Sequence, residues 1–364
     1  LEKYSVLITA PSLDEQSNVS GISTVVRNII EFSDSSIKYF HFKVGKQDKK
    51  KRSISWVIDQ MLLIPRLIAS ILKLKIEAVH LNTGFEAASL NRDFAIFFVS
   101  KYLLRKKVIF HVHGGYYLMN PPKKHTWLDF IINTVLKNAD VVIVLSNTEK
   151  KVLQSNYLFN NCFALPNSVD VVDIKLINKD FTGPLNICFL GRIVNSKGVF
   201  VIVDAFKALS ERFKDFSFHL YGTGPELNSV LEGLNGIPGL NFNYHGVIGG
   251  ARKWEVLTES HVFLLPSLFG EGLPMALLEA MNFKCVPVVT NDASMAEVIQ
   301  NGANGFVVGK GDVADLTSAI SNILDRRELL PAVSDQAHET IVKKYGMERY
   351  IVDLNNIYAV TILY

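Results

Sequence analysis

Two carboxylates and two cations in this chain have the types and spacing to hold a ligand that carries both hydroxyls and phosphates. The acids stand in Glu271-Gly-Leu-Pro-Met-Ala-Leu-Leu-Glu279, and upstream lies the basic pair Arg192 and Lys197. Carboxylates accept hydrogen bonds from hydroxyls, whereas Arg offers phosphate a planar fork and Lys a mobile point charge. The stretch from Ser267 to Gly272 reads as a loop, and Pro274 as a first-turn helix residue, where a missing N–H costs nothing. Glu279 then falls about one and a half turns into the helix, and Glu271 stays on the loop above its N-terminus. The amides of Leu273, Met275 and Ala276 face the gap between the two acids, and helix-start amides attract phosphate. The combination suits a nucleotide-sugar.

Other motifs fall where such a site would need them. Gly191-Arg192-Ile-Val-Asn-Ser-Lys197-Gly198 follows an apolar run and precedes a helical one. This puts both cations at the C-terminal edge of a parallel sheet, the ligand-binding edge of open α/β folds. The alternative is two solvated surface cations. Tyr221-Gly222-Thr-Gly224-Pro-Glu226 also ends a strand, but Leu227 breaks the G-x-G-x-x-G fingerprint. Gly222 and Gly224 then serve either a close backbone approach that walls a ligand or a plain turn. His111 and His113 alternate onto one side of their strand, with no further ligands beside them, so no metal is expected. His113, at the strand edge, serves the ligand or the structure. Gly21 opens the first long helix and would admit a phosphate or sugar.

The elements that must position these residues alternate along the whole chain. Short β-branched runs occur at 5–10, 77–82, 108–113, 140–145 and 162–167, then at 185–191, 216–222, 241–246, 261–266, 286–290 and 305–308. Amphipathic stretches such as 24–31, 94–104, 199–213 and 313–325 separate them. Strands apolar on both faces and alternating with helices make parallel sheets covered by helices. Eleven runs exceed one compact doubly wound sheet, so two Rossmann-like domains are predicted, at 1–170 and 171–345, across a turn-rich linker near 166–184. A trailing helix over 346–364 is expected to return to the first domain.

Composition bounds the class. The 364 residues are 48% hydrophobic and 20% charged, a globular balance. Cys162, Cys188 and Cys285 are too scattered for metal or disulfide spacing and read as buried thiols in a reducing, cytoplasmic compartment. No apolar run is long enough to span a membrane, and no signal peptide is visible. The chain starts at Leu1 without Met, so its natural start is expected to lie upstream. Residues 1–170 hold 22 Lys and Arg against 14 Asp and Glu, and the remainder hold 16 against 21. A basic first half argues for an anionic acceptor or an anionic surface. Lys49-Lys-Lys-Arg52 before the apolar stretch 56–75, kinked at Pro65, and then Arg105-Lys-Lys107 and Lys123-Lys124, allow a membrane-surface patch. A buried helix with solvated ends is the favoured reading of that stretch. No nucleic-acid motif appears, and nucleic acid is not expected as a partner.

The ordered set Gly191-Arg192…Lys197-Gly198, Tyr221-Gly-Thr-Gly-Pro-Glu226, His245-Gly246, Glu271-x7-Glu279 and Pro287-Val-Val-Thr290…Glu297 resembles the retaining glycosyltransferases of family four (glycosyl transferases group 1) over nearly the whole chain. That resemblance implies the GT-B fold, two Rossmann-like domains facing a central cleft, with the nucleotide-sugar donor on the second and a saccharide or lipid-linked acceptor on the first. It implies that Glu279 accepts from the ribose hydroxyls, and that Arg192, Lys197 and the amides of Leu273, Met275 and Ala276 neutralise the diphosphate. Glu271 would orient the donor sugar, His113 would lie near its anomeric centre or C6 group, and the Gly21 loop would cover the phosphates as the domains close. The reaction it implies is front-face transfer, with the leaving phosphate taking the acceptor proton. No protein nucleophile, metal or other cofactor is required.

The chain departs from the family pattern at Ser20-Gly21 and at Ala293-Ser-Met295, where many relatives have paired glycines. The reading is an enzyme of polysaccharide or glycolipid assembly, capsule or lipopolysaccharide included, at the inner face of a membrane. The alternatives are a nucleotide-sugar epimerase of the same fold and a catalytically silent nucleotide-sugar-binding module.

Overall fold

A computed structural model describes residues 4–14, 20–34, 36–45, 54–292 and 294–362. Lys49 to Arg52 and Ala293 lie outside the described residues. The chain divides into two units, one of Leu1–Asn167 with Met347–Tyr364 and the other of Ser168–Gly346.

The first unit is a six-stranded parallel sheet of β1 (Tyr4–Ala10), β2 (Ile37–Lys43), β3 (Ala78–Thr83), β4 (Lys107–Val112), β5 (Val141–Val144) and β6 (Cys162–Ala164), in the order β2-β1-β3-β4-β5-β6. Its helices are α1 (Gly21–Phe32), α2 (Ile54–Met61), α3 (Leu63–Lys73), α4 (Ala87–Phe98), α5 (Tyr116–Met119), α6 (Trp127–Asn138) and α7 (Asn147–Asn156). Every residue of β3 and of β5 is buried, as expected where helices cover both faces of a parallel sheet. Val79, Leu81, Phe110 and Val112 meet Leu67, Ile96, Phe97 and Ile131 in one core.

Two local expectations fail here. β2 has no counterpart among the runs read from sequence, because it pairs on one side only and leaves Lys38, His41 and Lys43 exposed. The stretch 56–75 is two helices, not one kinked helix, with Leu62 between them. Pro65 has no N–H for the Met61 carbonyl and its ring crowds that turn, so the break falls upstream of the proline.

The second unit is a parallel sheet of β7 (Leu185–Leu190), β8 (Phe216–Tyr221), β9 (Phe242–Gly246), β10 (Val262–Leu265), β11 (Val286–Thr290) and β12 (Phe306–Val308), in the order β12-β11-β10-β7-β8-β9. It carries α8 (Val199–Arg212), α9 (Leu227–Asn235), α10 (Ala251–Glu259), α11 (Met275–Asn282), α12 (Met295–Val298), α13 (Val313–Asp325) and α14 (Leu330–Lys344). Strand order reverses between β7 and β10, which makes the carboxyl ends of those two strands the switch point where open α/β sheets bind ligands.

The last helix, α15 (Met347–Ile362), belongs to the first unit and packs on α1 and β4 with Tyr350, Ile351, Leu354, Ile357 and Tyr358 buried. Cys162, Cys188 and Cys285 are free and buried, and burial pushes the Cys162 and Cys188 thiols up to about 12. Neither is then a nucleophile near neutral pH. Among the described residues no helix is long and apolar enough to cross a membrane.

Candidate active site

The carboxyl edge of the second unit's sheet collects most of the residues singled out from sequence. Arg192 and Lys197 lie on the loop after β7, Glu271 on the loop after β10, and Leu273 leads into α11. Pro274 is the N-cap of α11 rather than its first-turn residue, so the helix starts one position later than expected, at Met275. Met275 and Ala276 are therefore its first two residues, whose N–H groups have no carbonyl within the helix to meet. Glu279 is the fifth, and it is buried.

Close backbone approaches bring these loops together. Gly198 takes φ +70° at the start of α8, and a Cβ there would stand 1.9 Å from the Pro266 carbonyl oxygen. Leu268 N–H donates to the Ser196 carbonyl at 2.8 Å, which ties the β10 loop to the β7 loop. Gly222, at φ +129°, would place a Cβ 1.8 Å from the Gly191 carbonyl oxygen, and Gly224 one 2.0 Å from that of Ile193. Gly222 N–H also donates to the Gly246 carbonyl at 2.7 Å, so the Gly222 loop is clamped between the Arg192 loop and the end of β9. Both glycines are thus required by packing, and through it they fix the Arg192 loop.

The charges pair almost completely. Lys197 Nζ holds Glu271 Oε1, which also accepts from Ser267 Oγ at 2.6 Å. Glu271 N–H donates to Asp292 Oδ2 at 3.3 Å, and Asp292 in turn holds Lys310. Lys253, on α10, pairs with Glu279 Oε1 at 2.6 Å, both side chains largely buried. Three cations thus pair with three carboxylates. The Arg192 side chain, on the loop that carries Lys197, is exposed and has no ion-pair or hydrogen-bond partner among the described residues. An unpaired cation on a loop at the carboxyl edge of a parallel sheet is placed to receive an anion.

Lys253, Ser267, Asp292 and Lys310 were not picked out from sequence. Lys253 gives no local signal, because it is one polar position on an amphipathic helix. Lys310 does: it stands two residues beyond β12, as Arg192 stands two beyond β7.

His113 and Gly21 belong to the first unit. Gly21 is the first residue of α1, capped by Ser20 Oγ accepting from Ser23 N–H at 3.2 Å. A Cβ on Gly21 would meet nothing within 4 Å, so packing does not require glycine there. His113 Nε2 lies 2.7 Å from Asn82 Oδ1, and its ring centroid is 4.0 Å from that of His111. Burial holds the His113 imidazole down at about 3, far below its usual range, so it is neutral at any ordinary pH. Ser294 and Met295, at the second departure from the family pattern, are buried.

Comparison with known proteins decides what this arrangement belongs to. Residues 184–326 match the family described as glycosyl transferases group 1, and residues 45–173 match glycosyltransferase family 4. An uncharacterised glycosyltransferase of Methanocaldococcus jannaschii is 19% identical over 98% of this chain and 90% of its own length. The chain has the GT-B fold, and each of its two units matches a family of glycosyltransferases over its own part of the chain.

A putative colanic acid biosynthesis glycosyltransferase of Escherichia coli, WcaL, is 29% identical to this enzyme, over 45% of the chain and 42% of WcaL. In fold, the transferase superposes on the Anabaena protein HepE, solved with UDP and glucose. The TM-score is 0.75 at 13% identity, covering 97% of this chain and 99% of HepE.

Proposed function

We propose that the enzyme is a retaining, metal-independent transferase of family four that moves a sugar from a nucleotide-diphosphate donor to an acceptor hydroxyl. The observation that carries this reading is the uncompensated Arg192 beside the Lys197–Glu271 pair, at the switch point and before the N-terminus of α11. Cleavage of the bond from sugar to diphosphate builds negative charge on the leaving phosphate. Arg192, Lys197 and the amides of Leu273, Met275 and Ala276 would stabilise that charge most in the transition state, the role a metal plays elsewhere. As diphosphate enters, Lys197 turns from Glu271 to phosphate, and Glu271 is released to the sugar hydroxyls. Glu279 keeps Lys253 on Oε1 and offers Oε2 to the ribose. HepE's complex with UDP and glucose makes a uridine donor the first to test.

The acceptor is assigned to the first unit, and the setting to polysaccharide or glycolipid assembly at the cytoplasmic face of a membrane. The colanic acid biosynthesis for which WcaL is named favours that setting. So does a surface built by α4, its π-type continuation (Val99–Leu103) and α6, where Phe98, Tyr102, Leu103, Trp127 and Phe130 are all exposed. Trp127 stacks on Phe130 with centroids 5.6 Å apart, and Phe94 meets both edge-on. Residues 94–138 carry seven Lys and Arg and one acid, Asp129. Aromatic rings amid cations fit an anionic bilayer surface. Flotation with vesicles containing anionic phospholipid should carry the protein, and Trp127→Ser with Phe130→Ser should release it; equal recovery with zwitterionic vesicles would contradict this assignment.

The activity itself is tested by incubating UDP-, GDP- and ADP-hexoses with acceptor sugars and reading the product anomer by NMR. Retained configuration is expected, and Lys197→Ala should lower turnover by ~10²–10³, the scale of a lost charge-stabilising donor. Inverted product would exclude the retaining assignment. Tight nucleotide-sugar binding with no turnover on any pair would favour a sensor instead.

A further inference from the structure

A buried ion pair adds little to stability, because apolar residues of similar size fill the space more cheaply. The Lys253–Glu279 pair of the second unit therefore calls for another reason. Lys253 Nζ lies 2.6 Å from Glu279 Oε1, and the two side chains are only 15% and 4% exposed. Lys253 stands on α10, and Glu279 on α11 about one turn before Phe283. Trp254, the next residue of α10, stacks on Phe283 with ring centroids 5.3 Å apart and planes at 15°. Lys253 Nζ also sits over the Trp254 ring, 4.7 Å from its centroid. The ammonium is thus seated between an indole face and a carboxylate, both of which attract it. At the far end of α10, Lys179 Nζ donates to the Leu257 and Thr258 carbonyls at 2.6 and 3.1 Å, where a cation also meets the negative end of the helix dipole.

The pair satisfies one side of the carboxylate only. Oε1 accepts from Lys253, whereas Oε2 has no hydrogen-bond partner among the described residues. Yet Oε2 is not one of the enclosed polar atoms that lack a partner, so solvent reaches it. A carboxylate with one oxygen fixed and the other open is an acceptor aimed in one direction. A ribose arriving there strips water from Oε2, and burying an uncompensated carboxylate is costly. The ammonium on Oε1 supplies the compensation before the ligand arrives, so the hydroxyls meet a charged acceptor that is already oriented. Of the three lysines paired with the site's carboxylates, Lys253 is the least exposed, at 15% against 21% for Lys197 and 40% for Lys310. That suits a lysine that stays on its carboxylate when ligand binds.

We propose that Lys253 is a positioning residue for the ribose: it holds Glu279 by Oε1, and α10 thereby sets how strongly the second unit prefers ribonucleotides to deoxyribonucleotides. The inference rests on the proposed ribose role of Glu279 and adds the residues on which that role depends.

Isothermal titration of the full chain with UDP and with 2′,3′-dideoxy-UDP isolates the ribose hydroxyls, because the two ligands share base and phosphates. The wild type should bind UDP more tightly by about tenfold or more, the scale of a hydrogen bond to a charged group. Lys253→Met keeps an unbranched apolar stem without the charge, and should cut that margin to about threefold or less, chiefly by weakening UDP. Trp254→Leu, at a residue 40% exposed, loosens the ammonium's seat and should narrow the margin in the same direction. It strands no charge, so the test stands even if Lys253→Met proves too unstable to titrate. Added to Glu279→Gln, Lys253→Met should change the margin no further, since its effect passes through the carboxylate. A full margin in both single variants, an equal weakening of both ligands, or a further loss in the double variant would overturn the positioning role. Equal affinity of the wild type for the two ligands would instead remove Glu279 from the ribose, and the reading beneath the proposal would fall with it.

Discussion

At the scale of residues, the roles of the charged groups follow from who holds them. Glu279 is buried with Lys253 as its ion partner, so Glu279→Ala removes the proposed ribose acceptor and leaves a buried ammonium unpaired. Loss of one partner from such a pair costs about 3–5 kcal/mol. The cleaner variant is therefore Glu279→Gln, which should weaken UDP binding about tenfold or more by titration while changing the unfolding midpoint less than Glu279→Ala does. Unchanged affinity would remove Glu279 from the ribose. Gly222 tests packing rather than chemistry. Its φ of +129° and the 1.8 Å approach to Gly191 O predict that Gly222→Ala destabilises the second unit by about 2–4 kcal/mol in urea unfolding. Arg192, Lys197, Glu271 and Glu279 were legible because each sits at a strand end or helix start that the sequence marks. Lys253 and Asp292 were not, because long-range pairing leaves no trace in local spacing.

At the scale of elements, β3, β4 and α15 share an interior that resists protonation. The folded unit holds His80 and His113 at about 3 against an ordinary 6.5, with His111 also depressed by burial. Between about pH 6.5 and 3 the unfolded chain therefore binds protons that the folded unit refuses, and stability falls as pH falls through that window. Above it these groups contribute no pH dependence. The slope approaches ~1.4 kcal/mol per pH unit for each histidine. Denaturant unfolding of the first unit should thus lose roughly 2 kcal/mol per histidine between pH 7 and pH 5, whereas a flat profile would mean that the histidines titrate normally. The inner strands of the second unit were legible, β10 and β11 above all, because buried parallel strands are apolar on both faces. β2 escaped notice because an edge strand alternates like a surface loop, and the α2–α3 break was misplaced because proline acts on the turn before it.

At the scale of the molecule, sequence periodicity counted two sheets well, since strand–helix alternation over so long a chain has few other solutions. Neither the pairing order nor the switch point between β7 and β10 can be read that way, because both depend on contacts between distant segments. The return of α15 to the first unit makes that unit discontinuous in sequence. A chain ending at Gly346 would lose six large buried side chains, Met347, Tyr350, Ile351, Leu354, Ile357 and Tyr358. At about 1.5–3 kcal/mol each, the loss rivals the ~5–15 kcal/mol stability of a whole domain. Calorimetry of that truncation should show the first unit unfolded and the second still melting cooperatively. Two intact transitions would contradict the assignment of α15.

The uncompensated charge beside α11 is tested most directly by isothermal titration of the full chain with UDP and with UMP. UDP should bind at least tenfold more tightly, because its second phosphate meets Arg192, Lys197 and the helix amides, and Arg192→Ala should erase most of that margin. Equal affinities for the two nucleotides, or a margin untouched by Arg192→Ala, would show that no diphosphate is gripped there.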